Sequence, residues 1–121
     1  MSTAAQNQSV GRYGEDVAAR WLVGAGMEIL ERNWRGPAGE LDLILRDGAT
    51  IVFCEVKTRR SEIGGHPLEA VDEAKLARLR RLAAQWLAAR EVRAADVRID
   101  LVGVIRPGRG PAEVIHVPGV G

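Results

Sequence analysis

The chain has one cysteine in 121 residues, Cys54, which excludes an intramolecular disulfide framework. Inside Ile51-Val52-Phe53-Cys54 that cysteine reads as a small core residue. Only two histidines are present, His66 and His116, far apart and without ligand-like spacing to Cys54, which argues against a zinc site. No apolar run reaches the about 20 residues that a membrane-spanning helix requires. The opening Met1–Ser9 stretch lacks the basic start and apolar segment of a secretory signal, so the expected location is the cytoplasm. An excess of one charge is missing too. Seventeen lysines and arginines stand against 16 aspartates and glutamates, so any case for a polyanionic partner has to be local.

Apolar residues make up 46% of the chain and charged residues 27%, the balance of an ordinary globular protein. The length suits one compact domain with its own core, and neither an internal repeat nor a low-complexity linker divides it. The expected organisation is a flexible N-terminus at 1–9, a single domain at 10–117 and a loose tail at 118–121.

Tyr13, Val17, Trp21 and Leu22 form the stripe of an amphipathic helix from Val10 to Ala25, closed by Gly24 and Gly26. Gly11 and Gly14, poor helix formers near its start, suggest close approach to another backbone or a ligand, or a frayed first turn. Three strand-like runs follow: Met27–Trp34, Glu40–Arg46 and Thr50–Thr58. The polar stretch Thr58–Pro67 reads as a loop, and Leu68–Arg90 carries a long helical stripe through Val71, Leu79, Leu82, Ala83, Trp86 and Leu87. Val97–Ile105 and the weaker run Ala112–Val117 read as strands. The fold class is α/β, in the order α-β-β-β-α-β(-β), with helices on the faces of a mixed sheet.

Asp47-Gly48 between two apolar runs signals a hairpin. A two-residue Asp47-Gly48 loop puts Asp42 opposite Phe53 and diagonal to Glu55, whereas a four-residue loop puts Asp42 directly opposite Glu55. In both registers Lys57 joins them, two residues further along the same strand face. The reverse face carries Leu41, Leu43, Leu45, Val52, Cys54 and Val56. Ile44, Ile51 and Phe53 share the face of the polar cluster, which is expected next to the first helix. Converging carboxylates repel unless a cation lies between them, and oxygen donors suit Mg²⁺ or Mn²⁺. A bland alternative stands beside this one: Glu40, Asp42, Glu55 and Lys57 as a surface ladder of cross-strand ion pairs.

Taken together, several segments resemble the PD-(D/E)xK nuclease superfamily, and within it the YraN family of small bacterial proteins. They are Gly11-Arg12-Tyr13-Gly14-Glu15, Glu31-Arg32-Asn33-Trp34-Arg35, Gly39-Glu40-Leu41-Asp42-Leu43-Ile44, Phe53-Cys54-Glu55-Val56-Lys57-Thr58-Arg59 and Arg98-Ile99-Asp100-Leu101-Val102. Their order and combination are more specific than any one motif. The resemblance implies a three-layer restriction-endonuclease-like fold, also similar to archaeal Holliday-junction resolvases. It implies Asp42 and Glu55 as metal ligands, Lys57 as the catalytic lysine and Glu15 as a further acidic residue. Cys54, where a larger aliphatic residue is usual, and the Ile63-Gly64-Gly65-His66 loop, which lacks an aromatic, depart from the pattern.

The expected activity is metal-dependent endonucleolytic cleavage of DNA, branched or structured DNA included, with a nucleic-acid-binding module on the same fold as the alternative. Lys75, Arg78 and Gln85 lie on one side of the second helix, and with Arg12, Arg35 and Arg59 they are the expected phosphate contacts. Trp21 and Trp86 are expected to pack, with Trp34 left open between packing and base stacking. Junction cleavage in both strands calls for two sites, which makes a homodimer the matching assembly.

Overall fold

The computed structural model describes residues 4–60, 66–69 and 71–120, with side chains described from residue 11 onward. Its elements are α1 (Ala4–Gly24), β1 (Glu28–Gly36), β2 (Gly39–Asp47), β3 (Thr50–Arg60), α2 (Glu73–Ala89), β4 (Asp96–Arg106) and β5 (Glu113–Val117). The five strands form one sheet in the order β1-β2-β3-β4-β5. Only the β3–β4 pairing is parallel, and α2 is the crossover that makes it so. Helices cover both faces, as the α/β order requires, and the arrangement is consistent with a restriction-endonuclease-like fold.

On one face Ala18, Ala19 and Leu22 of α1 pack with Leu43, Leu45, Val52, Cys54, Val56, Val102 and Val104. On the other, Leu79, Leu82, Ala83 and Trp86 of α2 close over Leu41, Ile44, Ile51, Phe53, Ile99 and Leu101. The expected face of Ile44, Ile51 and Phe53 is therefore correct, but α2 rather than α1 covers it. Leu41 departs from the expected alternation, since it packs toward α2 while Leu43 and Leu45 face α1.

Local chemistry explains the helix ends. α1 stops where Gly26 adopts φ 101°, with Met27 N–H donating to Leu22 O at 3.1 Å, the wider bond of a Schellman closure. Its start at Ala4 lies well before the Val10 onset of the apolar stripe, so residues 4–9 are helical where a flexible N-terminus was expected. α2 starts later than its stripe suggests, because the Asp72 carboxylate accepts Lys75 N–H at 2.9 Å and caps the helix there. Trp86 is buried with its ring edge on Phe53, whereas Trp21 is 43% exposed and meets the ring of His116 instead of the core. Trp34 packs at the margin of the α2 core.

β3 continues through Arg59 and Arg60, where a loop was expected. Most of the loop that departs from the family pattern, residues 63–65 of 63–66, lies outside the described residues. The β2–β3 ladder closes at Asp47↔Thr50, leaving Gly48 (φ 62°) and Ala49 as the turn. That turn belongs to the register in which Asp42 faces Glu55, not to the Asp47-Gly48 loop.

Candidate metal centre

The paired residues of β2 and β3 run from Asp47↔Thr50 to Leu43↔Cys54, and continuing this register by one residue sets Asp42 across from Glu55. At that point the strands part. The Asp42 carboxylate accepts Val56 N–H at 2.7 Å, in place of the carbonyl that a regular ladder would supply. On its other side, the β1 register brings Asn33 to the level of Asp42, and Asn33 has φ 53°. Asparagine tolerates this left-handed conformation better than most residues, and such backbone strain concentrates at functional sites. The β1–β2 and β2–β3 ladders both lack a pair at this one aspartate.

Around it the acids arrive from separate elements. Glu15 on α1 and Glu40 and Asp42 on β2 each offer a carboxylate oxygen, and these oxygens lie within 4.8 Å of one another. Asn33 Nδ2 donates to Glu15 Oε1 at 2.8 Å and to Glu40 Oε1 at 3.4 Å, holding both glutamates in place. Arg35 pairs with Glu40 at 3.3 Å on the outer rim. Glu55, only 7% exposed, receives Lys75 Nζ at 2.7 Å, while Lys57 Nζ stands 4.0 Å from the same oxygen.

Four carboxylates against two ammonium groups leave the cluster short of positive charge, and protons respond. Burial, then the hydrogen bond and negative charge of Glu55, push the Asp42 carboxyl up to about 8. Burial works in the same direction on Glu55, but the hydrogen bonds from Asp42 and Lys75 outweigh it and hold Glu55 below the usual glutamate range. The neighbouring Lys75 and partial burial lower Lys57, although Glu55 pulls the other way. Lys75 is raised despite burial, because Glu55 is its hydrogen-bond partner. The cluster thus keeps a proton on Asp42 where a cation would otherwise balance the charge. Its all-oxygen donor set suits a hard cation, so the acidic group could hold a metal ion.

The residues expected to be catalytic, Glu15, Asp42, Glu55 and Lys57, are brought together. The sequence offers Glu40 only as part of an ion-pair ladder, and its two-residue spacing from Asp42 is the signal that puts both on one face. Asn33 stands in the family-like segment Glu31–Arg35 without a role of its own there, and its residue type, tolerant of positive φ, is the local signal of its conformation. Lys75, expected to touch phosphate, reaches into the centre and pairs with Glu55. Gln85 Oε1 accepts Ala38 N–H at 3.0 Å, so it braces the turn between β1 and β2. Arg12 and Arg78 are exposed. Arg59, beyond Lys57 on β3, has a buried Nε without a hydrogen-bond partner.

Among the described residues no helix is long and apolar enough to cross a membrane. Similar proteins span almost the whole chain. A protein of Nocardioides sp. is 58% identical over 120 residues, covering 99% of this chain and 97% of its own. One from Beutenbergia cavernae is 60% identical over 113 residues, covering 93% and 96%. A third, from Frankia casuarinae, is 53% identical over 111 residues, covering 92% and 94%. All three bear the designation UPF0102 protein. The sequence model described as "Uncharacterised protein family UPF0102" matches residues 14–104, a span that runs from Gly14 beside Glu15 to Val104 on β4 and includes every residue of the acidic centre; the chain belongs to that YraN-like family.

Proposed function

We propose that this protein is a metal-dependent endonuclease that hydrolyses phosphodiester bonds of DNA, with branched or structured DNA of repair and recombination as its substrate class. The observation that carries the reading is the convergence of Glu15, Asp42, Glu55 and Lys57 from three elements around one break in the β2–β3 ladder. Asp42 and Glu55, supported by Glu15 and Glu40, would hold Mg²⁺ or Mn²⁺, both of which favour oxygen donors. Such a cation supplies Lewis-acid charge at a phosphoryl oxygen.

The chain's own groups do the rest. Lys57 stands beside Glu55 with its proton held less firmly than usual, which suits an ammonium that orients a nucleophilic water or neutralises charge developing on the phosphate. Lys75 fixes the buried Glu55 carboxylate through its 2.7 Å contact. Arg12, Arg35, Arg59 and Arg78 supply cationic contacts for the phosphates of the bound strand.

The test is a panel of single-stranded, flapped and four-way DNA incubated with and without Mn²⁺. Cleavage by the wild type, lost on chelation and reduced at least about 100-fold in Glu55→Ala and Lys57→Ala of unchanged circular dichroism, is expected. Failure to cut any of these substrates would count against the enzyme.

A second reading draws on the ion pair between Lys75 and Glu55 and the proton on Asp42, which together satisfy the cluster without a cation. It makes the protein a nucleic-acid-binding module without turnover, whose salt-sensitive binding is indifferent to chelator.

A further inference from the structure

The carboxyl ends of the two parallel strands carry charge of the opposite sign. β3 ends at Arg60 and β4 at Arg106, and the parallel register sets these two arginines side by side. Like charges placed this way cost stability unless something offsets them. Among the described residues no carboxylate pairs with either one. Arg106 instead lies over the ring of Tyr13 on α1, 5.0 Å from its centroid. Stacking leaves the edge of a guanidinium available for an oxyanion and fixes its orientation. With Pro107 and Gly108, the pair lines an open hollow of about 360 Å³, and among the described residues no acidic side chain lines it.

We infer that this hollow is a phosphate subsite for a nucleic-acid strand, separate from the acidic centre and engaging the backbone at a distance from the bond that is cut. Two adjacent guanidinium groups match a backbone phosphate, and a ligand would relieve their repulsion. The position of the bond to be cut rests on the endonuclease reading. At a strand rise of ~3.3 Å per residue, Arg60 lies roughly 17 Å beyond Glu55 along β3, and the odd separation puts it on the α1 face, where Arg106 meets Tyr13, while Glu55 faces α2 and Lys75. Stacked nucleotides advance ~3.4 Å each along one strand, so at least about five nucleotides separate the subsite from the metal centre. The hollow therefore sets the minimum length of substrate on one side of the cut.

The experiment compares the full wild-type chain with the Arg60→Gln/Arg106→Gln double variant, using fluorescence anisotropy on a labelled four-way DNA junction in chelator, across a salt series. Weaker binding by about 10- to 30-fold is expected, with a salt slope reduced by about 1 to 2 and no loss of thermal stability. In parallel, single neutral methylphosphonates are walked along one arm. Wild-type affinity is expected to fall at one position at least about five nucleotides from the cut, with the double variant insensitive there. Equal affinity and salt slope in the two proteins would overturn the inference, as would an effect confined to inorganic phosphate with DNA binding intact. Cleavage is scored separately. Metal-dependent scission absent while the double variant still binds weakly removes the enzyme reading but leaves the subsite standing; scission present with unchanged binding does the reverse.

Discussion

Asp42 concentrates the chemistry of this protein in one proton. Its carboxyl, moved from the ordinary 3.8 to about 8 by burial and by Glu55, holds that proton at neutral pH when no cation is bound. A folded-state value above the unfolded one means that the associated stability is fully present below about 3.8 and is lost as pH rises through about 8. A cation bound by Asp42 and Glu55 must displace the proton, because a ligating carboxylate is ionised. Calorimetric titration with Mn²⁺ at pH 7, in two buffers of different ionisation enthalpy, should therefore show release of about one proton per site. Asp42→Asn should abolish that release, and metal binding without proton uptake by buffer would contradict this account of the centre. The residue types were legible in the sequence, since the spacing of Asp42, Glu55 and Lys57 holds in either hairpin register. The proton was not, because it arises from burial and from the hydrogen bond and charge of Glu55, which only the folded packing sets.

At the scale of elements, the approach of α1 to β3 determines whether Glu15 reaches the centre at all. A Cβ added at Gly14 would lie 1.7 Å from Thr58 Oγ1 and 2.9 Å from its Cβ, so only glycine lets the helix sit this close. Helix propensity alone would make Gly14→Ala stabilising by about 1 kcal/mol. Overpacking of this severity outweighs that gain, and a net loss of about 1–3 kcal/mol is expected in urea denaturation. Metal affinity should weaken with it as Glu15 is pushed away. Adding Thr58→Ala removes the hydroxyl and methyl but not the Cβ, so it should recover only part of the stability. An alanine variant more stable than the wild type would show that the helix has room to spare. Close approach was one of two readings open for Gly14 from its sequence position; the partner, Thr58, emerged only from the packing.

The whole molecule is tied together at a second buried acid, away from the metal centre. Asp100 is fully buried on β4 and receives Arg98 Nε at 2.8 Å, Arg98 Nη2 at 3.1 Å, His116 Nε2 at 2.7 Å and Gly119 N–H at 3.0 Å. Arg98 also reaches Asp47 at the β2–β3 turn, at 3.2 Å. Val120 N–H donates to Ile99 O at 2.8 Å, so Gly119 and Val120 are held against β4 where a loose tail was expected. One carboxylate thus joins β4, β5, the C-terminal residues and, through Arg98, the central hairpin. Burial works against its charge, but Arg98, His116 and the Gly119 N–H outweigh burial and keep Asp100 below the ordinary aspartate range. The sign is opposite to that of Asp42: this stability is present above the ordinary value of 3.8 and lost as pH falls through the lowered one. Asp100→Asn should cost about 2–4 kcal/mol at pH 7 by urea denaturation, with the difference from the wild type narrowing in strong acid. An equal difference at both pH values would refute the charge-based account.

The amino-acid sequence by itself determined the order of elements, the existence of the central hairpin and the shared face of Glu55 and Lys57, because apolar period and turn chemistry act over a few residues. Only the tertiary structure decided between two registers that differ by two residues, moved Leu41 out of its alternation, and brought Glu15 to Asp42 and Lys75 to Glu55 from opposite faces of the sheet. Register and helix-on-sheet offset are sums over many contacts between residues distant in the chain, and no local pattern carries those sums.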